Sequence, residues 1–113
     1  MHEVGLIHSA IVLATEQVKA KGRKKIHRID LSVGELSGVV PEALAFAFDV
    51  VSAGTLAEGA DLHLTTVPTL CYCAHCRREF HPMSWIYACP HCQRLSKEVR
   101  EGKDLEIVSL EIS

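Results

Sequence analysis

The chain has 113 residues, of which 48% are hydrophobic and 23% charged, and its formal net charge is −2. This composition is typical of one modest globular core and excludes a disordered chain. The small negative charge gives no general attraction to nucleic acid or to anionic lipid. No apolar run reaches the length of a membrane span, and the N-terminus lacks the basic region and apolar core that are typical of a signal peptide. We therefore expect a cytoplasmic protein with neither a membrane nor a nucleic acid as its partner.

The first predicted element is a helix that begins almost at the amino terminus. Its apolar side chains recur at helical spacing and form one stripe: Val4, Ile7, Ile11, Ala14 and Val18. Gly22 is a typical helix stop. A helix start usually offers Ser, Thr, Asp or Asn as a cap, but here His2 stands directly beside the amino group of Met1. This unusual start leaves open whether the terminus has a role other than capping.

A strand, a second helix and another strand are predicted to follow. Apolar and polar residues alternate between Lys25 and Leu36, which is typical of a half-buried strand. Pro41 suits the first position of a helix, whose buried stripe would contain Leu44, Ala47, Phe48 and Val51. Residues 60–67 are predicted as a strand that Pro68 closes.

The composition changes between Leu70 and Lys97, where all five cysteines and the only tryptophan occur. We interpret the following segment, KEVREGKD, as a charged linker, and the final LEIVSLEIS as a strand that returns to the first sheet. The predicted fold class is α+β: two helices packed on a small mixed three-stranded sheet, with an inserted zinc-ribbon-like four-cysteine domain. The predicted domains are 1–70 plus 98–113, which form the α+β domain, and 71–97, which form the insertion.

Two cysteine pairs give the strongest chemical signal in the sequence. They are Cys73-x-x-Cys76 and Cys89-x-x-Cys92. Each pair can wrap a tight turn so that two thiolates point at one centre, and four thiolates complete a tetrahedron for zinc. Disulfides are disfavoured in the cytoplasm, so a doubled pair there favours metal binding. A closed four-thiolate site leaves no open position for catalysis, and we expect a structural Zn(II).

Other ligand sets remain open on the residues alone. Cys71 could substitute for Cys73, and either His75 or His91 could replace a thiolate. Iron in the same cage would give an electron carrier, and the basic stretch between Lys19 and Arg28 keeps a nucleic-acid-binding zinc ribbon as an alternative. We expect aromatic and apolar side chains to cover one side of the cage: Phe80, Trp85, Ile86 and Tyr87. Nearby cations would offset its charge: Arg77, Arg78 and Arg94.

The amino terminus offers a second possible metal site. The amine of Met1, the amide nitrogen of His2 and its imidazole could form adjoining chelate rings in one plane, an arrangement that suits Ni(II) or Cu(II). Glu3 could add a further donor. On residue types alone, the more frequent interpretation is an exposed histidine at a frayed end.

Several motifs together resemble the HypA/HybF family of hydrogenase nickel-incorporation proteins. They are the opening Met1-His2-Glu3, the run VGELSGVVPEALAFAFDVVSAGTLAEGADL, the two cysteine pairs with CPxC second, and the ending LEIVSLEI. The resemblance spans essentially the whole chain. It implies a small nickel metallochaperone, not an enzyme, in which a structural zinc domain interrupts a nickel-binding helix-and-sheet domain.

By that resemblance, the nickel site is formed by Met1, His2 and Glu3, and the structural zinc is held by Cys73, Cys76, Cys89 and Cys92. Ni(II) would be a transient cargo. The implied partners are a HypB-type GTPase and the precursor of the [NiFe]-hydrogenase large subunit, and some members also assist urease maturation. The chain has no Gly-rich phosphate loop, so GTP hydrolysis is expected from the partner. The expected assembly is a monomer or a weak homodimer.

Overall fold

A computed structural model describes residues 2–113, with side chains from Glu3 onward; Met1 and the side chain of His2 lie outside the described part. In chain order its elements are α1 (His2–Ala20), β1 (Ile26–Gly34), α2 (Pro41–Val51), β2 (Asp61–Val67), β3 (Leu70–Cys73), β4 (Arg78–Phe80), β5 (Glu98–Glu101) and β6 (Leu105–Ile112). None of the helices in the described part is both long and apolar enough to cross a membrane.

The first sheet is mixed and has the strand order β2-β1-β6. β1 runs parallel to β2, with Arg28 opposite Asp61, and antiparallel to β6, with Ile29 opposite Leu110. A parallel pair requires a crossover connection, and α2 provides it between β1 and β2. The predicted return of the carboxy-terminal strand to this sheet is confirmed.

The core of the first sheet lies beneath the two helices. From α1 it receives four buried residues of the predicted stripe: Ile7, Ile11, Ala14 and Val18. From α2 it receives Leu44, Ala47 and Phe48, while Val4 and Val51 are only partly buried at its margin. Helical periodicity therefore identified the buried faces of both helices, because only one face of each can reach the sheet.

The amino-terminal end of α2 is formed by Val40 and Pro41. Val40 is extended, with φ −92° and ψ 115°, and its side chain makes no capping hydrogen bond. Pro41 occupies the first turn, where its missing N–H costs no helical hydrogen bond. The first intrahelical bond runs from the N–H of Leu44 to the carbonyl of Val40, at 3.0 Å.

The second sheet has the order β4-β3-β5, and both outer strands are antiparallel to β3. The interpretation of KEVREGKD as a linker was wrong for Glu98–Glu101, because these residues form β5 with Val99 opposite Cys71. Val99 packs against the buried cluster of the second sheet, which explains why this charged segment pairs there. The domain boundaries at residues 70 and 97 stay a prediction. β5 lies after residue 97, in the segment assigned to the first domain, although it pairs with the second sheet.

The chain leaves the first sheet through Thr69 and returns through Gly102, and both residues contact the end of β1. The side chain of Thr69 donates a hydrogen bond of 2.8 Å to the carboxylate of Glu35. The N–H of Gly34 donates to the carbonyl of Asp104 at 2.8 Å. Both Thr69 and Gly102 are buried. We call these contacts the joint.

Candidate metal centre

Four cysteine sulfur atoms converge at the end of the second sheet. The Sγ atoms of Cys73, Cys76, Cys89 and Cys92 all lie within 4.8 Å of one another. The Sγ atoms of Cys73 and Cys92 are 3.6 Å apart, and those of Cys76 and Cys89 are 3.9 Å apart. Zinc–sulfur bonds of about 2.3 Å in a tetrahedron require sulfur–sulfur distances of about 3.8 Å. The spacing of these thiols therefore fits a four-coordinate zinc ion.

Each cysteine pair wraps a turn whose backbone amides point at sulfur. The N–H of Cys76 donates to Sγ of Cys73, and the N–H of His91 donates to Sγ of Cys89, both at 3.4 Å. Such N–H groups stabilise a thiolate, because they place positive partial charge beside it. The two turns therefore hold the sulfur atoms in position and favour their ionised form.

The residue after the second cysteine of each pair has a left-handed backbone. Arg77 has φ 55° and Gln93 has φ 61°. Glycine adopts this conformation without a steric penalty, whereas other residues adopt it at a cost of about 1–2 kcal/mol. The sequence carries no glycine at either position, so part of the stabilisation from metal binding offsets this backbone strain.

Two of the thiols differ strongly in acidity. The backbone N–H groups of Cys92 and His91 lower the pKa of Cys89 to about 7. Desolvation, followed by the neighbouring thiols, raises the pKa of Cys76 to about 12. A metal ion entering the cage must therefore displace the proton of Cys76. Binding should consequently weaken as the pH falls.

The alternative ligands do not join this cluster. Among the described residues, the four paired cysteines are the one group of three or more His, Cys, Asp or Glu that could hold a metal ion. Cys71 is fully buried opposite Phe80, where desolvation raises the pKa of its thiol. His91 directs Nε2 toward Nη1 of Arg78, at 2.6 Å, and His75 is exposed.

The expected aromatic cover is only half present. Phe80 is buried and Tyr87 is partly buried against the cysteines. The prediction for Trp85 and Ile86 was wrong, because their side chains are 82% and 67% exposed. They lie in an irregular loop that pairs with no strand, and the interior beside the cage is already filled by Phe80 and the cysteines.

Sequence reasoning missed the role of Ser96. Its hydroxyl donates to the carbonyl of Tyr72 at 2.7 Å, and its N–H donates to the carbonyl of Tyr87 at 2.7 Å. The first bond attaches the loop after the second cysteine pair to β3, and the second attaches it to the segment that precedes this pair. Its hydroxyl also accepts a hydrogen bond of 3.2 Å from the N–H of Glu98, a local contact that serine often makes, but the bonds to Tyr72 and Tyr87 depend on the tertiary fold.

The predicted nickel residues lie at the start of α1. The helix begins at His2, Glu3 lies in its first turn, and Met1 is outside the described residues. Leu6, about one turn later, lines a crevice with Ser37, Val39 and residues 103–106. The first turns of α1 therefore lie near the joint, at the end of the first sheet from which the cysteine segment extends.

Comparison with known proteins gives full-length matches. The family model described as hydrogenase/urease nickel incorporation, metallochaperone, hypA matches residues 1–112. A hydrogenase maturation factor HypA from Picosynechococcus sp. is 45% identical over 99% of both chains. A hydrogenase maturation factor HybF from Klebsiella pneumoniae is 37% identical over 98% of both chains.

The fold is also similar to solved structures. A solution structure of the Ni metallochaperone HypA from Helicobacter pylori superposes with a TM-score of 0.74 and 25% identity, covering 97% of this chain and 96% of that one. A second solution structure of a HypA protein gives a TM-score of 0.77 over the whole of this chain and 97% of the other. The resemblance predicted from the motifs is confirmed. The chain belongs to the HypA family of hydrogenase and urease nickel-incorporation metallochaperones.

Proposed function

We propose that this chain binds Ni(II) at its amino terminus and delivers it to the precursor of the [NiFe]-hydrogenase large subunit, with a HypB-type GTPase as partner. It acts as a carrier and adaptor, not as an enzyme. The observation that carries the proposal is the start of α1 at His2, directly after Met1, in a chain whose family match includes residue 1.

The helix start explains how the terminus can serve as a ligand. The first N–H groups of a helix have no intrahelical partner, so the amide nitrogen of His2 is not committed to the helix. Together with the amine of Met1 and the imidazole of His2, it supplies three nitrogen donors in one plane, and Glu3 is available as a fourth donor. The amine must lose its proton, and its ordinary pKa is about 7.7–8.0, so nickel affinity should fall as the pH falls.

The cysteine cluster has a separate role in this proposal. Cys73, Cys76, Cys89 and Cys92 hold a structural zinc, whose closed coordination leaves no position for a reacting group. The zinc stabilises the second sheet, and the loosely coordinated nickel remains able to leave. Cysteines that bind a metal and form no disulfide are best maintained in the reducing cytoplasm, where we propose that this activity takes place.

The decisive experiment is a nickel titration of zinc-loaded, untagged protein, comparing wild type with His2→Ala. We expect His2→Ala to abolish nickel binding without changing the zinc content, because His2 supplies the imidazole and takes no part in the thiolate cage. His8→Ala is the matched control, since His8 is another histidine of α1, is exposed, and should be dispensable for nickel binding. Unchanged nickel affinity in His2→Ala would refute the site.

A second form of the protein tests the terminal amine itself. Adding a Gly-Ser extension before Met1 keeps every side chain but moves the amine away from His2. We expect nickel affinity to fall strongly, and normal affinity would refute the terminal-amine model. Transfer to a purified large-subunit precursor, with and without the GTPase, then tests delivery separately from binding.

A further inference from the structure

A groove of about 380 Å³ lies directly beside the thiolate cage. Residues 72–75, from β3 and the first cysteine turn, form one wall, and residues 94–98 form the other. We propose that this groove binds a short acidic segment of a partner protein, in which carboxylates alternate with aliphatic side chains. The proposal does not depend on the nickel site.

The charge of the groove supports an acidic ligand. Arg94 and Lys97 line it, and no carboxylate oxygen of the described residues lies within 4 Å of either cationic group. The one carboxylate among the lining residues, that of Glu98, accepts a hydrogen bond from Arg100 at 2.6 Å. Its charge is therefore already offset.

The loop that carries these cations is held in place before any ligand arrives. The N–H of Cys89 donates to the carbonyl of Arg94 at 2.9 Å, and Leu95 forms a bridge with Ala88. Ser96 adds the two hydrogen bonds to Tyr72 and Tyr87 described above. Because this backbone is already ordered, binding of a ligand costs little conformational entropy, and such preorganisation favours binding.

The groove also offers apolar surface between its charges. Leu95 is 67% exposed, and Ala74 is exposed on the opposite wall. The guanidinium of Arg100 lies 3.7 Å from the centre of the Tyr72 ring and fixes this aromatic side chain in the lining. An aliphatic side chain placed between two carboxylates would cover Leu95 while its neighbours approach Arg94 and Lys97.

A peptide fits these features better than a nucleic acid. A polyphosphate chain requires a continuous track of cations. Here the cations form a compact cluster, and the adjoining strands carry Glu79, Glu98 and Glu101. Aromatic stacking is also limited, because Arg100 already covers one face of Tyr72. Nucleic-acid binding is therefore the alternative that the experiment distinguishes from peptide binding.

The test is an amide NMR titration of the zinc-loaded full chain with an acetylated, amidated peptide, Glu-Leu-Glu-Leu-Glu. We expect saturable shifts confined to residues 72–75 and 94–98, and loss of binding when the glutamates are replaced by glutamines. The double variant Arg94→Gln, Lys97→Gln should bind roughly tenfold more weakly, since two exposed charge contacts are lost. The control Lys21→Gln, Lys24→Gln removes the same charge from exposed positions outside the groove and should bind normally.

A third variant separates a loss of peptide binding from damage to the zinc site. Leu95→Glu leaves both cations in place but introduces a repelling charge at an exposed position, so it should abolish peptide binding with unchanged zinc content. Dispersed shifts, or equal binding by the Arg94→Gln, Lys97→Gln protein with its zinc intact, would overturn the proposal. It would also be overturned if a short oligothymidylate produced the same shifts at lower concentration than the peptide.

Discussion

Gly34 ends β1 against the backbone of the chain returning from the cysteine segment. A Cβ atom at this position would lie 2.4 Å from the carbonyl carbon and oxygen of Gly102 and 2.8 Å from the amide nitrogen of Asp104. These neighbours are main-chain atoms and cannot rotate away. At Gly34 the absence of a side chain is therefore required by contact, not by backbone conformation.

Replacing Gly34 by alanine should consequently destabilise the protein by about 1–3 kcal/mol, the usual cost of overpacking. The matched control is Gly5→Ala. A Cβ at Gly5 meets no atom within 4 Å, and alanine is a better helix former than glycine, so this change should stabilise by roughly 0.5–1 kcal/mol. Urea unfolding of the zinc-loaded proteins measures both effects. Equal midpoints for the two variants would contradict the contact at Gly34.

Single residues were predictable where their spacing carries geometry. The convergence of the four paired cysteines was predictable because a C-x-x-C turn brings two sulfur atoms together whatever surrounds it. The burial of Trp85 was predicted wrongly because hydrophobicity alone does not indicate which way a side chain points. The cysteine segment is also too small to bury many side chains. The contact of Ser96 with β3 was missed because Tyr72 lies far away in the chain.

At the scale of elements, α1 and α2 were predictable because each buries one stripe at helical spacing. β5 was not, because Glu98–Glu101 contains a single apolar residue and no alternation that would identify a buried face. Its position depends on β3, which offers an edge to pair with. Pairing of this kind is tertiary information that a four-residue segment does not contain.

The amino-terminal end of α2 lacks a side-chain cap, and adding one should increase the stability of the protein. Val40 is the N-cap, lacks a side-chain acceptor and is 52% exposed. Aspartate at this position would accept a hydrogen bond from an otherwise unpartnered N–H and complement the helix dipole. We expect Val40→Asp to stabilise the protein by about 1 kcal/mol in urea unfolding. Val40→Ala removes the same apolar surface without adding a cap, and a similar gain in that variant would rule out the capping explanation.

At the scale of the whole molecule, two separate buried clusters support the two sheets. Among the described residues, the first contains twelve buried residues, of which eleven come from the two helices and β1 and the twelfth is Ala57, whereas the second contains Cys71, Cys73, Phe80 and Cys89. So small a cluster buries too little apolar surface to fold alone. The second sheet should therefore depend on its metal, and the first should not.

Removing zinc with a chelator under reducing conditions tests this difference. We expect amide signals from residues 70–101 to lose their dispersion, while the helical circular dichroism of α1 and α2 is retained. Cys89→Ser should reproduce the result without a chelator. If the helical signal disappeared together with the second sheet, the two clusters would be one cooperative unit.

The joint gives this arrangement a mechanical consequence. Both crossings of the chain meet the end of β1 within a few peptide groups, as the contacts from Thr69 to Glu35 and from Gly34 to Asp104 demonstrate. A force applied to the second sheet is therefore transmitted to the end of β1 at the joint. The joint adjoins the first turns of α1. A partner that binds the second sheet would therefore exert a force close to the proposed nickel site.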